Sequence, residues 1–386
     1  MTELGPLPKE WEIINLDEII DLKRGISWRK EEANKEGNGI PVIGIPNIKE
    51  NGIIDFIDTY FLTKDIPVDK MLRINDILFV GSSGSIKNIG RNVLIREIQK
   101  NKFTYASFTF LGRVDPLKAN SEYIFYLLNS PMVDYNKYAR RASDGKYNFQ
   151  LTQFKNEQKL PLPPLPEQQR IAAVLSAVQE AKEKTQAVID TTKALKKSMM
   201  KHLFTYGQVS PEETENVQIK ETEIGKVPKD WEIVKLGEVA EISSGGTPSR
   251  KRNEYWIDGN ISWIKSEQCH DCYISVANEY ITDLGLENSS AKMLKKGTVL
   301  LAMVGATIGK TGFLTFEACT NQNIAGIFST NGLNNLFLYY ALQSRYNEFE
   351  KIKGYGIANL SYLRQFKIPL PPLPVQQKIA SILSAI

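Results

Sequence analysis

Cysteine and histidine are scarce in this chain of 386 residues. It has three cysteines, Cys269, Cys272 and Cys319, and two histidines, His202 and His270. So few thiols exclude a scaffold held together by disulfides, and a closed zinc site is disfavoured because it needs four ligands. Cys269 and Cys272 have Cys-x-x-Cys spacing, but no second pair lies near them, so we interpret these thiols as incidental.

A long apolar run and a strong charge imbalance are also missing. No stretch of about 18 apolar residues occurs, and the N-terminus lacks a basic-then-apolar signal pattern, so we expect a cytoplasmic protein. With 42% hydrophobic and 24% charged residues, the composition is typical of a folded globular protein. The net charge of +4 does not by itself indicate a nucleic-acid partner, so any basic footprint must be local.

Motifs of known catalysts are missing or incomplete. The chain has no Gly-x-Ser-x-Gly, no His-Glu-x-x-His and no Asn-Pro-Pro-Tyr. Residues 305–311 (GATIGKT) resemble a P-loop, but the glycines are one residue too close together. The segment that follows, GFLTF, is typical of a strand, whereas a phosphate site needs a helix N-terminus. We therefore predict a β-turn here, and no catalytic residue, metal or cofactor in this chain.

What the chain does have is an internal repeat. Residues 5–19 (GPLPKEWEIINLDEI) return as residues 225–239 (GKVPKDWEIVKLGEV), and residues 160–177 (LPLPPLPEQQRIAAVLSA) return as residues 368–385 (IPLPPLPVQQKIASILSA). A period of about 200 residues is too long for a solenoid and has the size of a domain with its connector. Two similar domains are therefore expected to follow each other.

Each copy has the pattern of a mixed α/β domain. Alternating residues predict an opening strand at Trp11–Leu16 and again at Trp231–Leu236. Compact apolar runs that end at glycine turns predict buried strands at residues 76–80 and 298–304. Helices are predicted at residues 122–130 and 335–344. The proline block Leu160–Pro166 is predicted to be an extended polyproline II spacer, because proline disfavours helix interiors and central strands.

A long helix is the clearest single element. Residues 167–204 contain no glycine or proline, and a seam of mostly apolar residues, completed by Thr185, Thr192 and His202, recurs at alternating spacings of 3 and 4. The helix would be about 57 Å long and needs a partner to be stable. The chain stops about twelve residues into the second copy's helix, so we expect part of the seam to be covered by another subunit, such as a second copy in a homodimer. The predicted seam consists of Ile171, Val174, Val178, Ala181, Val188, Leu195, Met199, Ile379 and Ile382.

Basic and polar residues cluster at corresponding places in the two copies. These places follow the first strand, follow the glycine turn and precede the proline block. Arginine and asparagine can read guanine and adenine edges, while lysine and serine hold phosphates. The candidate DNA-binding residues are Arg24, Trp28, Arg29, Lys30, Lys87, Asn88, Arg91, Arg140, Arg141, Lys146 and Asn148 in the first copy, and Ser249, Arg250, Lys251, Arg252, Lys265, Lys310, Lys353 and Tyr355 in the second.

With these motifs, the chain resembles the specificity subunit of type I restriction–modification enzymes. The likeness rests on PKxWE in both copies, on residues 245–264 (GGTPSRKRNEYWIDGNISWI) and on the repeated LPLPPLP block. It implies a mixed α/β (α+β) fold with two target-recognition domains, and long helices that form an antiparallel coiled coil. The expected segments are domain 1 at 1–166, the long helix at 167–204, a linker at 205–224, domain 2 at 225–374 and a truncated second helix at 375–386.

The resemblance also implies a function. Each domain would read one half of a bipartite, asymmetric site in double-stranded DNA, and the helices would set the gap and dock two methyltransferase subunits. S-adenosylmethionine would then be bound by the methyltransferase subunits, and ATP and Mg²⁺ by restriction subunits. Two alternatives remain open: a coiled-coil scaffold without specific DNA reading, and a nucleotide-binding enzyme that uses Lys310.

Overall fold

The computed structural model describes residues 7–49, 54–98, 102–330, 332–352 and 356–386. Contacts divide the chain into two units, residues 1–185 and 186–386. The division falls within the long helix, so the first part of that helix belongs to unit 1 and its last part belongs to unit 2. The predicted mixed α/β class is confirmed.

The described part of unit 1 contains four small sheets with helices packed beside them. The sheets have the strand orders β1-β13, β2-β10-β6-β8, β3-β5-β4-β9 and β11-β12-β7. The strands are β1 (Glu12–Asn15), β2 (Ile20–Arg24), β3 (Ala33–Asn34), β4 (Ile40–Ile43), β5 (Tyr60–Leu62), β6 (Ile77–Val80), β7 (Ser82–Ser83), β8 (Asn92–Leu94), β9 (Thr104–Tyr105), β10 (Thr109–Val114), β11 (Ala139–Arg141), β12 (Tyr147–Phe149) and β13 (Lys159–Leu162). The helices are α1 (Ser121–Leu128), α2 (Leu151–Glu157) and α3 (Leu165–Tyr206).

Unit 2 shares with unit 1 the strand pair that bounds the unit and a central sheet, but its other sheets differ. Its sheets have the orders β16-β25, β17-β24-β21-β22-β19, β20-β18-β23 and β14-β15. The strands are β14 (Ile219–Thr222), β15 (Gly225–Pro228), β16 (Glu232–Lys235), β17 (Ala240–Ser244), β18 (Ile261–Ile264), β19 (Cys272–Ile274), β20 (Glu279–Ile281), β21 (Val299–Ala302), β22 (Thr311–Leu314), β23 (Cys319–Thr320), β24 (Ile324–Ser329) and β25 (Lys367–Leu370). The helices are α4 (Leu236–Val239), α5 (Asp283–Glu287), α6 (Asn335–Ser344), α7 (Tyr346–Lys351), α8 (Leu360–Gln365) and α9 (Leu373–Ser384).

The central strand of each unit is buried on both faces. In β6, Ile77 and Phe79 join an apolar cluster formed with α1 and α2, while Leu78 and Val80 join a second cluster on the other face. In β21, Val299 and Leu301 likewise belong to one apolar cluster, and Leu300 and Ala302 belong to a second cluster on the other face. Side chains alternate between faces along a strand, so a strand with a core on each side must be apolar throughout. The two predicted buried strands are confirmed.

The repeated proline block is not a polyproline II spacer, so that prediction is wrong. Its first half forms β13, which pairs antiparallel with β1 so that Pro161 lies opposite Ile13. Its second half is already helical, because α3 begins at Leu165. The same split occurs in unit 2, where β25 pairs with β16 and α9 begins at Leu373. Proline is tolerated in an edge strand and in the first turn of a helix, where no backbone N–H is needed.

A buried glutamine fixes the start of each long helix to its unit. The side-chain amide of Gln168 donates to the carbonyl of Pro163 at 2.7 Å, and its oxygen accepts from the Asn120 N–H at 2.8 Å. In unit 2, Gln376 makes the same two bonds to Pro371 and Asn334, at 2.7 and 2.8 Å. Because Asn120 and Asn334 cap α1 and α6, each glutamine ties the helix start to the cap of a core helix.

A hydroxyl pair makes a second matched contact. Tyr126 of α1 lies 3.1 Å from Ser176 of α3, and Tyr340 of α6 lies 3.1 Å from Ser384 of α9. The repeated sequence therefore encodes one way of joining a long helix to an α/β unit, used twice.

Helices α3 and α9 run antiparallel across α6 in unit 2. Phe204 of α3 stacks near Phe337, and Lys196, two turns earlier, lies over the ring of Tyr340. Helix α9 follows α6 in the opposite direction to α3. Its Gln376 contacts Asn334 at the start of α6, and its Ser384 contacts Tyr340 further along α6. Antiparallel helices are what the resemblance implies.

Most of the seam on α3 is exposed. Val174, Val178, Val188 and Leu195 are 64, 62, 66 and 51% exposed, and Ala181 is exposed as well. Ile171 and Met199, near the ends of the helix, are partly buried against their units, while Ile379 and Ile382 contribute to the unit 2 core. The described residues therefore cover the two ends of the seam and leave its middle open.

The segment predicted as a linker contains ordered structure. Helix α3 continues to Tyr206, a 3-10 turn covers Pro211–Asn216, and β14 pairs with β15. The hairpin leads directly into the buried Trp231 that precedes β16.

Candidate nucleic-acid interface

A three-stranded sheet in unit 1 gathers candidate residues that are distant in the sequence. In the order β11-β12-β7, Arg140 lies opposite Asn148, and Asn148 lies opposite Ser82. Arg141 lies opposite Tyr147 on the neighbouring pair. Strand β7 opens the loop that carries Lys87, Asn88 and Arg91, so two of the predicted clusters meet here. Lys146 also belongs to this site, at the turn between β11 and β12, 3.8 Å from Asp144. We call these residues the unit 1 basic sheet.

The loop after β7 depends on a glycine. Gly90 has a φ of 78°, and a Cβ placed on it would lie 2.0 Å from the ring of Tyr135. Only glycine combines this conformation with such a close approach. Arg91 follows directly, and its Nε is buried without a hydrogen-bond partner among the residues that the structure describes. An open cleft of about 320 Å³ lies here, lined by Lys87, Asn88, Arg91, Asn129, Ser130 and Tyr135 among others.

Arg24 is placed beside this sheet, whereas its sequence neighbours are not. Its guanidinium lies 5.5 Å from the ring of Phe110, which in turn lies 6.0 Å from Phe149 of β12. Trp28 lies instead against Tyr60 of β5, with ring centroids 6.3 Å apart. Arg29 and Lys30 are exposed around a 3-10 turn, Lys30–Glu32, that leads to β3. The first predicted cluster is therefore divided between two sheets.

In unit 2, Arg250 is held by an aromatic ring and a carboxylate. Its guanidinium lies 3.5 Å from the ring centroid of Trp256 and 5.1 Å from that of Trp263. One guanidinium nitrogen donates to Glu279 of β20, and Lys265 pairs with the same carboxylate. Partial burial acts to raise the pKa of Glu279, but the hydrogen bonds from Lys265 and Arg250 outweigh it and lower the pKa below its usual value. The Glu279 carboxyl is therefore ionised near neutral pH.

Lys310 is neutralised in a similar way. It lies 2.7 Å from Asp271 and 4.3 Å from the ring centroid of Tyr346. The same carboxylate accepts from the backbone and the hydroxyl of Thr311, at 3.0 and 3.1 Å. A 3-10 turn, Gly305–Thr307, precedes the strand that begins at Thr311, and this geometry agrees with the predicted turn.

The remaining candidates of unit 2 are mostly exposed. Ser249 and Lys251 lie in the loop after β17, and Arg252 in that loop pairs with Glu254 at 3.5 Å. Lys353 and Tyr355 lie outside the described residues. The structure adds three residues that a search for cations missed, namely Trp256, Asp271 and Glu279. No spacing in the sequence signals the two acids, because each meets its cation through strand pairing and not through proximity along the chain.

The two units differ in how their cations are compensated. In unit 1, seven candidate cations form no ion pair with any residue of the described ranges: Arg24, Arg29, Lys30, Lys87, Arg91, Arg140 and Arg141. In unit 2, Arg250, Arg252, Lys265 and Lys310 are paired with acids. Each unit has one exception within the described ranges: Lys146 of unit 1 pairs with Asp144, and Lys251 of unit 2 forms no ion pair. A basic surface without carboxylates attracts phosphates more strongly than one whose charges are already paired.

The three cysteines are free thiols; Cys269 and Cys319 are buried, and Cys272 is half-buried. Burial raises the pKa of Cys269 to about 12 and that of Cys319 to about 11, so both stay protonated at neutral pH. Within the described ranges, no group of three or more histidine, cysteine, aspartate or glutamate residues is placed to hold a metal ion. No helix of the described chain is long and apolar enough to cross a membrane.

Known proteins resemble this chain in sequence and in fold. A protein of Methanocaldococcus jannaschii, provisionally named the MjaX specificity subunit of a type I restriction enzyme, is 29% identical over 100% of this chain and 88% of its own length. The MjaVIII specificity subunit of the same organism is 28% identical over 98% of this chain and 87% of its own. The solved S subunit of a type I restriction–modification system from M. genitalium has a TM-score of 0.67. It covers 100% of this chain and 92% of its own at 17% identity, a likeness that speaks for the fold alone.

A family model covers nearly the whole chain in two stretches, one for each unit. It describes the type I restriction modification DNA specificity domain, and it matches residues 8–191 and 228–386. Two copies of one recognition domain, each joined in the same way to the helix that follows it, explain why the sequence repeats. The chain belongs to the family of type I restriction–modification DNA specificity proteins.

Proposed function

We propose that this chain is the DNA sequence-recognition subunit of a type I restriction–modification complex, and that each unit binds one half of a bipartite, asymmetric site. The observation that carries the proposal is the unit 1 basic sheet, where Arg91, Arg140 and Arg141 form no ion pair with described residues. The two matched stretches of the family support one such domain per unit.

The chemistry of the unit 1 basic sheet suits DNA. Arg140 and Asn148 lie opposite each other on adjacent strands, so one arginine and one amide reach the same region. Arginine pairs with the guanine edge and asparagine with the adenine edge in the major groove, while lysines such as Lys87 contact phosphates. The proposed division is therefore base reading from β11 and β12 and backbone contacts from the loop before β8.

The partners are proposed on the same basis. Two methyltransferase subunits dock on the helices and supply S-adenosylmethionine and the methylation chemistry, and restriction subunits supply ATP- and Mg²⁺-dependent cleavage. This chain then contributes recognition and no catalysis, in the cytoplasm. The open middle of the α3 seam supports docking, because apolar side chains such as Val178 and Val188 gain stability when a partner covers them.

A salt titration tests the proposal. Fluorescence anisotropy of labelled duplex DNA would be measured from about 50 to 200 mM salt, with the methyltransferase subunits present. Arg140→Ala is expected to weaken binding and to reduce the slope of log affinity against log salt by about 0.9, the loss of one phosphate contact, if Arg140 touches the backbone. If it reads a base, the variant relaxes one position of the recognised sequence instead.

Arg170→Ala is the matched control, because Arg170 is an exposed arginine on the first turns of α3. It should leave DNA affinity and slope unchanged. A wild-type complex without measurable DNA affinity would overturn the proposal.

The alternative of a coiled-coil scaffold without specific DNA reading is not supported by the family match, which is to a DNA specificity domain. The Arg140→Ala variant tests it directly. Under that hypothesis, Arg140→Ala changes neither DNA binding nor assembly. Under the first hypothesis it changes DNA binding and leaves methyltransferase binding intact.

A further inference from the structure

Corresponding positions in the two units carry a cation, which is paired with a carboxylate in unit 2 but, among the described residues, not in unit 1. Arg91 and Lys310 each follow a glycine with a positive φ, 78° at Gly90 and 79° at Gly309. In both units, a Cβ on that glycine would collide with an aromatic side chain, Tyr135 or Phe349. The backbone thus presents the next cation in the same way, but only Lys310 is met by a carboxylate among the described residues.

From this contrast we propose that Glu279 and Asp271 are specificity-determining residues. Their carboxylates compete with DNA phosphates for the basic side chains of unit 2. They occupy Arg250, Lys265 and Lys310, and so suppress the binding of unit 2 to DNA of arbitrary sequence. The proposal rests on the function proposed above and goes beyond it, because it assigns a role in recognition to two acids.

The geometry at Glu279 explains how the competition works. Arg250 is fixed on one face by Trp256 and at one nitrogen by Glu279. A phosphate that approached Arg250 or Lys265 would come close to the Glu279 carboxylate, and the like charges would repel each other. Arg250 and Lys265 can therefore bind a phosphate only if their ion pairs with Glu279 break.

A base edge meets a different situation. A guanidinium has five N–H donors, and Glu279 engages only one guanidinium nitrogen, so donors remain for a base. A guanine edge carries no full charge and is not repelled by Glu279. Base readout can thus keep the ion pair that phosphate binding must break. Penalising the wrong partner is an established way of obtaining specificity without new attractive contacts.

Asp271 competes with phosphate for Lys310 in the same way. Its φ of 58° lies in the left-handed region, which asparagine also adopts readily. Asp271→Asn therefore removes the charge while keeping an oxygen that can accept from Thr311. Glu279→Gln is the corresponding change at the other pair and keeps the length of the side chain.

The experiment measures binding of the full chain, with methyltransferase subunits present, to a mixed-sequence duplex of about 40 base pairs, roughly four helical turns. We expect Glu279→Gln to raise affinity for this duplex by about 2- to 5-fold, the size of effect that an exposed ion pair can withhold. The salt slope should steepen by about one to two units, because Arg250 and Lys265 become free for phosphates. Asp271→Asn should steepen it by about one unit.

Glu241→Gln is the control for net charge, because Glu241 is exposed on β17 away from these pairs. It should change neither affinity nor slope. If the wild type binds DNA and neither Glu279→Gln nor Asp271→Asn raises mixed-sequence affinity beyond this control, the competitor role is wrong and the proposed function stands. If the wild type and both variants fail to bind any duplex, both proposals fall. Glu279 would instead be a direct base reader if Glu279→Gln abolished binding to the methylated motif without a gain on mixed DNA, which would also overturn the competitor role.

Discussion

At the scale of single residues, the first glutamine of the repeated PLPPLPxQQ block has the clearest structural role. Gln168 and Gln376 are 1% and 0% exposed, and each satisfies one buried acceptor and one buried donor. Buried polar side chains persist where their hydrogen bonds are complete, and these two share a pair of equivalent bonds. Gln376 also donates to the Gly332 carbonyl at 3.0 Å. The glutamine beside each of them is exposed, so only one position of each Gln-Gln pair is buried and bonded to the core.

Replacing the buried glutamine should therefore destabilise unit 1. Gln168→Leu keeps the approximate volume but leaves the Asn120 N–H and the Pro163 carbonyl without partners. We expect a loss of about 2–4 kcal/mol in the free energy of unfolding, since an orphaned buried group costs roughly 1–3 kcal/mol. Urea denaturation followed by circular dichroism measures this. Gln169→Leu, next along the helix and exposed, should stay within about 0.5 kcal/mol of the wild type; equal effects at both positions would contradict the role given to Gln168.

At the scale of elements, α3 combines buried ends with an exposed middle. Leu203 is 2% exposed and belongs to the unit 2 core, whereas Val178 and Val188 are more than half exposed. The 42 residues of α3 make a helix of about 63 Å. Among the described residues, its middle is stabilised by contacts within the helix, such as the Glu180–Lys184 ion pair, and not by a packed core. The apolar seam in the middle of α3 therefore predicts a partner that covers it.

Substitutions in the middle of the seam should separate folding from assembly. The double change Val178→Glu with Val188→Glu is expected to leave the unfolding free energy of the free chain within about 0.5 kcal/mol, because neither side chain is buried. Binding to methyltransferase subunits should weaken, because two charges would enter an apolar interface. Calorimetry and size-exclusion chromatography measure the two effects. Leu203→Ala should show the reverse pattern, with a loss of about 2–5 kcal/mol in stability; an unimpaired assembly of the double variant would refute the docking face.

Shortening the same helix tests its proposed part in setting the gap. Residues 182–188 are exposed throughout, so their deletion removes no buried side chain and costs only contacts within α3, such as Glu180–Lys184. Seven residues correspond to about 10.5 Å and nearly preserve the helix face. We expect the gap in the methylated DNA site to shorten by about 3 base pairs, at 3.4 Å each, or the complex to lose assembly. Methylome sequencing reports the gap directly, and an unchanged motif in an intact complex would exclude a ruler.

At the scale of the whole molecule, the two units have separate cores and separate sets of candidate residues. Each unit is bounded by an equivalent strand pair, β1-β13 in unit 1 and β16-β25 in unit 2. Exchange at these boundaries should keep the framework and change only what lies between, because the pairs and the helix starts are shared by both units.

A domain exchange should therefore alter one half-site. Replacing residues 236–366 with the corresponding part of another specificity protein is expected to change one half of the methylated sequence and leave the other half intact. Methylome sequencing of cells that carry the exchanged subunit gives the result. The reciprocal exchange of residues 16–158 is the control and should change the opposite half; a change in both halves from either exchange would show that the units do not read independently.

The sequence by itself determined the repeat, the strand and helix types, and the seam. These follow from local periodicity: alternation predicts β1 and β16, unbroken apolar runs predict β6 and β21, and spacings of 3 and 4 predict α3, and all five elements are confirmed. The failure at Leu160–Pro166 has a tertiary cause, because the proline block finds a pairing partner in a strand about 150 residues earlier. Local propensity does not register a partner so far away.

Only the tertiary structure decided which candidate residues act together. It joined Arg140 and Asn148 to the loop of Lys87 and Arg91 through a strand order that is not sequential, β11-β12-β7. It separated Trp28 from Arg24, and it placed Glu279 and Asp271 beside cations that lie 29 and 39 residues away in sequence. The physical reason is that charge compensation depends on distances of a few ångströms, which strand pairing sets and residue order does not.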